Sequence, residues 1–306
     1  MKNENTNTGM IEIEYQNTLN DIPFKKFTEA DYNLFFAIIF LAKQGVDSGR
    51  IEKDPATNKA LITLEYSDIK KLSGLGKSRI KNSDFNEKYL KGMIAKLQAI
   101  NGTIKNGNIE DDIVLFPKFR RNTEDALLTV FLEEDFFKVL YEFDELGFTK
   151  IEFKRLVTLE SKYTKTLYRK LCQFKRTGKY QVKADTFREL FDIPESYKQS
   201  DIMKRVINPA IEELSNEFKN LSCELHHAPK RGAPVDRYTF TFVKSVREQR
   251  KTTEGQSDMD QAAEEMAKYK KQKQREKNAF NRFEESPDTP KNKQEWSDLE
   301  NLLLDN

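Results

Sequence analysis

His226 and His227 are the only imidazoles in this 306-residue chain, and they are neighbours. Adjacent side chains on a strand point to opposite faces, so the pair cannot ligate one metal together. A strand-nicking site would need His-hydrophobic-His beside a nucleophilic tyrosine, and that spacing is absent. Cys172 and Cys223 have no CxxC partner, which argues against a disulfide framework or a thiolate metal site and leaves two inert core thiols. GLGKS (74–78) lacks the earlier glycine of a GxxxxGK[ST] phosphate loop and is expected to be a helix-terminating turn with a basic residue. The acidic pairs Asp111/Asp112 and Glu133/Glu134 have no His or Cys near them in sequence. No catalytic residue, metal or cofactor is therefore expected.

The chemistry the chain does offer is hydrogen bonding to base edges and phosphates. The segment YKQSDIMKRV (197–206) places Lys198, Gln199, Ser200, Asp201, Lys204 and Arg205 at the start of an apolar stripe formed by Ile207, Ile211, Leu214 and Phe218. Arginine or lysine suits guanine, and a carboxylate accepts from cytosine, so Arg205, Lys204 and Asp201 are candidate base readers. Backbone contacts are expected from Lys162, Lys165 and Arg169 on one face of a preceding helix. Lys230 and Arg231 in the loop APKRGAPVD, with Arg237 on the strand that follows, complete the DNA-binding set. The alternative for each is a solvated helix or loop residue.

These side chains need elements to aim them. Residues 28–43 (TEADYNLFFAIIFLAK) read as a buried helix capped by Thr28. A strand at 60–64, a helix at 66–72, an amphipathic helix at 86–99 and β-like runs at 102–104, 113–119 and 127–132 follow. The order then repeats. A helix at 161–174 leads to a strand at 180–183, a short helix capped by Asp185 that stops before Pro194, and a helix beginning at Ser200 or Asp201. A hairpin of 221–227 and 237–243 closes the unit. Pro209 predicts a kink or two helices meeting. The fold class expected is α+β, two tandem winged-helix (helix-turn-helix) domains. Their limits are an N-terminal arm at 1–20, a first domain at 21–145, a second at 146–247 and a disordered tail at 248–306.

Charge supports that division. Residues 1–149 hold 20 basic against 24 acidic side chains, residues 150–250 hold 22 against 13, and residues 251–306 hold 10 against 13. The middle third is basic, the footprint of a polyanion binder. Hydrophobic content of 37% with 33% charged residues reflects a tail with little to bury, apart from a stripe of Trp296, Leu299 and Leu303 within an amphipathic segment at 296–304. No apolar run is long enough for a membrane span and the N-terminus lacks a signal segment, so a cytoplasmic protein is expected.

Two stretches carry a family resemblance. LESKYTKTLYRKLCQFKRTGKY (159–180) and FRELFDIPESYKQSDIMKRVINPAIEELSNEF (187–218) resemble the C-terminal winged helix of the Rep-type initiators of iteron-containing plasmids, with Thr164 where serine is common in that family. YQNTLNDIPFKKFTEADYNLFFAIIF (15–40) resembles the family's first winged helix more weakly. The resemblance implies double-stranded DNA as partner, both as direct repeats at an origin and as the protein's own promoter. It also implies a homodimer in equilibrium with monomer, dimerisation through the first domain, autoregulation, origin opening, and recruitment of the host initiator and replicative helicase. The competing reading is a dimeric winged-helix transcriptional repressor with no replication role.

Overall fold

The computed structural model describes residues 12–243 except 78, 100, 107–108, 115–117, 133–139, 142–146 and 228–232. The expected tail, with its Trp296 stripe, lies outside these residues, as do Lys230 and Arg231.

The chain enters as strand β1 (Glu12–Gln16), followed by a 3-10 turn, Asn17–Asn20. Residues 12–20 are not a loose arm, because Ile13, Tyr15 and Leu19 are fully buried. β1 pairs antiparallel with a strand far along the chain, β8 (Phe148–Glu152), setting Ile13 opposite Ile151 and Glu14 opposite Lys150. Helix α1 (Glu29–Asp47) starts where Thr28 and Asp31 form a reciprocal capping box. It is buried on nearly every side along 31–39, as its unbroken apolar run predicts.

β2 (Glu52–Lys53), β3 (Ala60–Glu65), β6 (Phe119–Asn122) and β7 (Leu127–Phe131) form one sheet in the order β2-β3-β7-β6. Helix α2 (Tyr66–Leu72) ends at Ser73, and Gly74 takes a φ of 83°, a left-handed turn that glycine adopts without penalty. Helix α3 runs through Asn82–Asp84, a π-helical stretch Phe85–Leu90, and Lys91–Gln98. Of the strand expected over 113–119, Ile113 and Val114 lie in one strand and Phe119 in another, with 115–117 outside the described residues. β4 (Asn101–Asn106) and β5 (Ile109–Val114) make a separate hairpin, and β6 begins only at Phe119.

After β8 come α4 (Phe153–Thr158) and α5 (Lys162–Gln173), the latter capped by Ser161, whose Oγ accepts the Thr164 N–H at 3.0 Å. Then β9 (Lys179–Lys183), α6 (Ala184–Leu190), α7 (Gln199–Ile202, π-helical Met203–Ile207, Asn208–Leu214), β10 (Ser222–His227) and β11 (Val235–Thr241) complete the second unit. Asp185 lies in the first turn of α6 rather than at its cap. The second sheet has the order β10-β11-β9, which repeats β6-β7-β3 of the first. Helix, strand, helix, helix, hairpin thus occurs twice, with a π-helical stretch inside the third helix of each unit. The second sheet turns Tyr180, Val182, Tyr238 and Phe240 into the core, where Phe187 stacks on Phe191 at 4.0 Å between ring centroids.

Candidate nucleic-acid interface

α7 presents two unlike faces. Ile202, Val206, Ile207, Ala210 and Leu214 are buried, while Ser200, Lys204, Arg205, Asn208, Pro209 and Glu212 are exposed. Two consecutive residues, Val206 and Ile207, both reach the core because the π-helical stretch adds a residue to the turn. The Asn208 N–H reaches back five residues to the Met203 carbonyl. Pro209 follows at the point where the ladder returns to α-helical spacing, so the donor it lacks falls at a change of register. The expected meeting of two helices is this π-to-α junction.

The entry to α7 is pinned from several sides. Arg188 of α6 donates to the Tyr197 carbonyl at 2.7 Å, and the Tyr197 N–H donates to Pro194 O at 3.0 Å. The Lys198 N–H donates to Asp201 Oδ2 at 3.1 Å, and Asp201 Oδ1 lies 3.5 Å from Arg205 Nε. The Arg205 guanidinium sits 5.3 Å from the centre of the Tyr197 ring. Tyr197, then Asp201, hold that charge and raise its proton affinity above the usual arginine value. Tyr238 of β11 donates to Gln199 Oε1 at 2.8 Å, tying the start of the helix to the sheet.

The sheet carries a second group, two cations and an imidazole. In register across the three strands stand Lys183, Arg237 and His226, on the sheet face opposite Tyr238. Like charges side by side across strands repel. Of these, Arg237 is half-buried and lies 3.8 Å from Asp236, and His226 Nε2 bonds Thr239 Oγ1 at 2.9 Å. His227 turns away to the Ala233 carbonyl at 3.0 Å. The two histidines therefore have separate partners, and among the described residues no cluster of three or more His, Cys, Asp or Glu side chains is placed to hold a metal. Burial pushes both cysteine thiols up to about 12.

Three of the expected backbone-contacting cations are placed otherwise, and two of them, Lys165 and Arg169, are buried. Lys165 is fully buried: its Nζ donates to Leu156 O at 2.5 Å and Val157 O at 3.3 Å, the carbonyls at the end of α4. Burial pushes its ammonium down to about 8. Arg169, 1% exposed, donates to Leu19 O at 2.5 Å and lies against the rings of Phe24, Phe36 and Tyr32 at 4.8, 5.2 and 5.9 Å. Neither reaches a DNA-facing surface. Lys162 is half-exposed but engaged, at 2.7 Å from Asp192 Oδ2. The helical period identified a polar face on α5 correctly. It could not show that this face packs against α1 and residues 19–21. Tyr32 OH and Thr166 Oγ1, 2.8 Å apart and 134 residues apart in sequence, mark that contact.

The first unit offers a different surface. Its α3 cations Lys88 and Lys91 pair with Asp84 at 3.4 Å and Glu87 at 2.9 Å. The turn between β6 and β7 carries Glu124 and Asp125, where the second unit's loop carries Lys230 and Arg231 in sequence. Tyr197, Arg188 and Lys183 also border the candidate surface of the second unit and are absent from the set expected from sequence. An aromatic just ahead of a basic helix start was the available signal for Tyr197, whereas Lys183 emerges only from strand register.

Comparison with family models decides the lineage. Residues 12–172 match the model described as "Initiator Replication protein, WH1", and residues 183–242 match "Initiator Rep protein, WH2". The chain belongs to the initiator replication protein family. Both of its winged-helix units are covered, the first model taking in β1 through most of α5 and the second running from the end of β9 to just past β11. The initiator is also similar to a "Probable replication protein rep" of Bifidobacterium longum (strain NCC 2705), 24% identical over 239 residues, covering 76% of this chain and 73% of that protein. Among solved structures it is similar to the Pi initiator protein, crystallised in complex with iteron DNA. The TM-score is 0.52 at 15% identity, with 78% of this chain and 98% of that one covered.

Proposed function

We propose that this initiator binds tandem direct repeats of double-stranded DNA at a plasmid origin, and that α7 of its second winged helix reads the bases. The observation that carries the reading is the face of α7 away from the core. Ser200, Lys204 and Arg205 stand exposed there, with Lys198 beside them, on a helix fixed to both α6 and the sheet. This is how a helix-turn-helix offers the start of its second helix to the major groove. The cross-strand row Lys183, Arg237 and His226, next to a loop whose sequence carries Lys230 and Arg231, is suited to phosphates. Lys162 joins them only if it leaves Asp192.

Origin opening, recruitment of the host initiator and replicative helicase, repression of its own gene as a dimer, and residence in a bacterial cytoplasm belong to the same proposal. Family membership supports them, and among the described residues no helix is long and apolar enough to cross a membrane. The protein acts as a binder rather than an enzyme in this reading. The test is fluorescence anisotropy with Arg205→Ala on cognate and random duplexes. The expected loss is about 1 to 3 kcal/mol on the cognate site with relaxed discrimination. An equal loss on both DNAs would reduce Arg205 to a phosphate contact.

A further inference from the structure

We propose that Asp201 and Tyr197 are positioning residues that orient Arg205 for one base pair, and that Asp201 does not itself contact DNA. The inference rests on the reading of α7 as the base-reading helix. Sequence alone makes Asp201 a cytosine acceptor. In the fold both oxygens have neighbours along the helix: Oδ2 accepts the Lys198 N–H at 3.1 Å, and Oδ1 faces Arg205 Nε across an ion pair of 3.5 Å, one turn on. Arg205 is otherwise well exposed, at 60% of its side chain, so the restraint has to come from these neighbours.

Tyr197 supplies the second restraint. Its ring packs against the hydrophobic core, its carbonyl is held by Arg188, and the guanidinium lies 5.3 Å from its centre. A free arginine samples many rotamers that docking must freeze. One held by a carboxylate at Nε and an aromatic face has fewer left to lose. The geometry also selects a mode of contact. With Nε turned to Asp201, a bidentate bond to guanine O6 and N7 has to come from the two terminal nitrogens.

The arrangement predicts opposite signs for two quantities. Removing the Asp201 charge strengthens attraction to any DNA, since one negative group leaves a surface that faces phosphates, yet it weakens choice among sequences. A role confined to capping the helix would instead weaken both kinds of binding together and lower the melting temperature.

The experiment uses the full chain and anisotropy on duplexes carrying a footprinted repeat, the same repeat substituted at each base pair in turn, and a random sequence. Arg205→Ala is expected to lose about tenfold or more in discrimination at one base pair. Asp201→Asn keeps an oxygen for the Lys198 N–H, and is expected to lose roughly three- to tenfold at that same base pair while binding random DNA as tightly or tighter. Added to Arg205→Ala, Asp201→Asn should have no further effect on discrimination, because it acts only through the arginine. Tyr197→Leu, which removes ring and hydroxyl together, should behave like Asp201→Asn in discrimination. If Asp201→Asn relaxes a different base pair, or multiplies the loss of Arg205→Ala, this inference falls while the base-reading assignment stands. If Arg205→Ala keeps full discrimination, both fall.

Discussion

Lys165 shows how one residue type can serve two chemistries. Spaced with Lys162 and Arg169 on a helix, it reads as a phosphate contact. In the fold it caps the carbonyls that end α4, as a cation near a helix C-terminus does. Its ammonium titrates at about 8, against 10.5 for an ordinary lysine. Between those values the unfolded chain holds the proton and the native chain has released it. Lys165 therefore makes stability rise with pH across that window and adds no pH dependence below about 8. Lys165→Met should flatten the rise, which urea unfolding of both proteins at about pH 7.5 and about pH 10 would show. Equal slopes in the two proteins would mean that Lys165 is solvated in the native state. Arg169 was misread for a related reason: its acceptor, Leu19 O, and its rings lie some 130 to 150 residues away in sequence. No local pattern encodes such a pairing.

At the scale of elements much more was legible. The cap at Thr28, the end of α2 at Gly74 and the buried stripe of α7 follow from side-chain types at known helical positions. The π-helical stretches do not, since one added residue leaves the apolar spacing readable as an ordinary helix. Strand partners were legible only where short turns join neighbours, so the β10-β11 hairpin was found and the β1-β8 pairing was not. The Thr28 box lends itself to measurement. Thr28→Ala removes the Oγ1 that accepts the Asp31 N–H at 3.3 Å. The loss should be about 1 kcal/mol. For a chain of this size that is a fall of roughly 2 to 4 °C in melting temperature, readable by calorimetry. In the hairpin, the Lys230→Ala, Arg231→Ala double variant should lower the magnitude of the slope of log K against log salt by about two while keeping sequence preference. An unchanged slope would place that loop away from DNA.

Across the whole described molecule, the two winged helices share one hydrophobic core and a polar seam. Asp192, in a left-handed conformation with φ 48°, accepts from the Lys26 N–H at 3.0 Å and from Lys162 at 2.7 Å. Lys170 pairs with Asp21, and Asn20 reaches both Thr149 and Gln173. α5 belongs to this seam as much as to the second unit, and the first family model runs as far as residue 172. Deleting residues 1–20 removes Ile13, Tyr15 and Leu19 from the interior together with the acceptor of Arg169. At about 1.5 to 3 kcal/mol for each large apolar side chain, that loss rivals the stability of an ordinary domain. The truncated chain should unfold or melt far below the intact one, and unchanged melting would show that β1 is dispensable.

In the proposed function the second winged helix brings the initiator to repeated DNA. A nuclease footprint of the purified full chain on the DNA flanking its own gene tests it most directly. Protection of several direct repeats in the same orientation is expected, lost when Arg205 is replaced by alanine. Protection of a single inverted repeat alone, or a direct-repeat footprint that Arg205→Ala leaves intact, would contradict it.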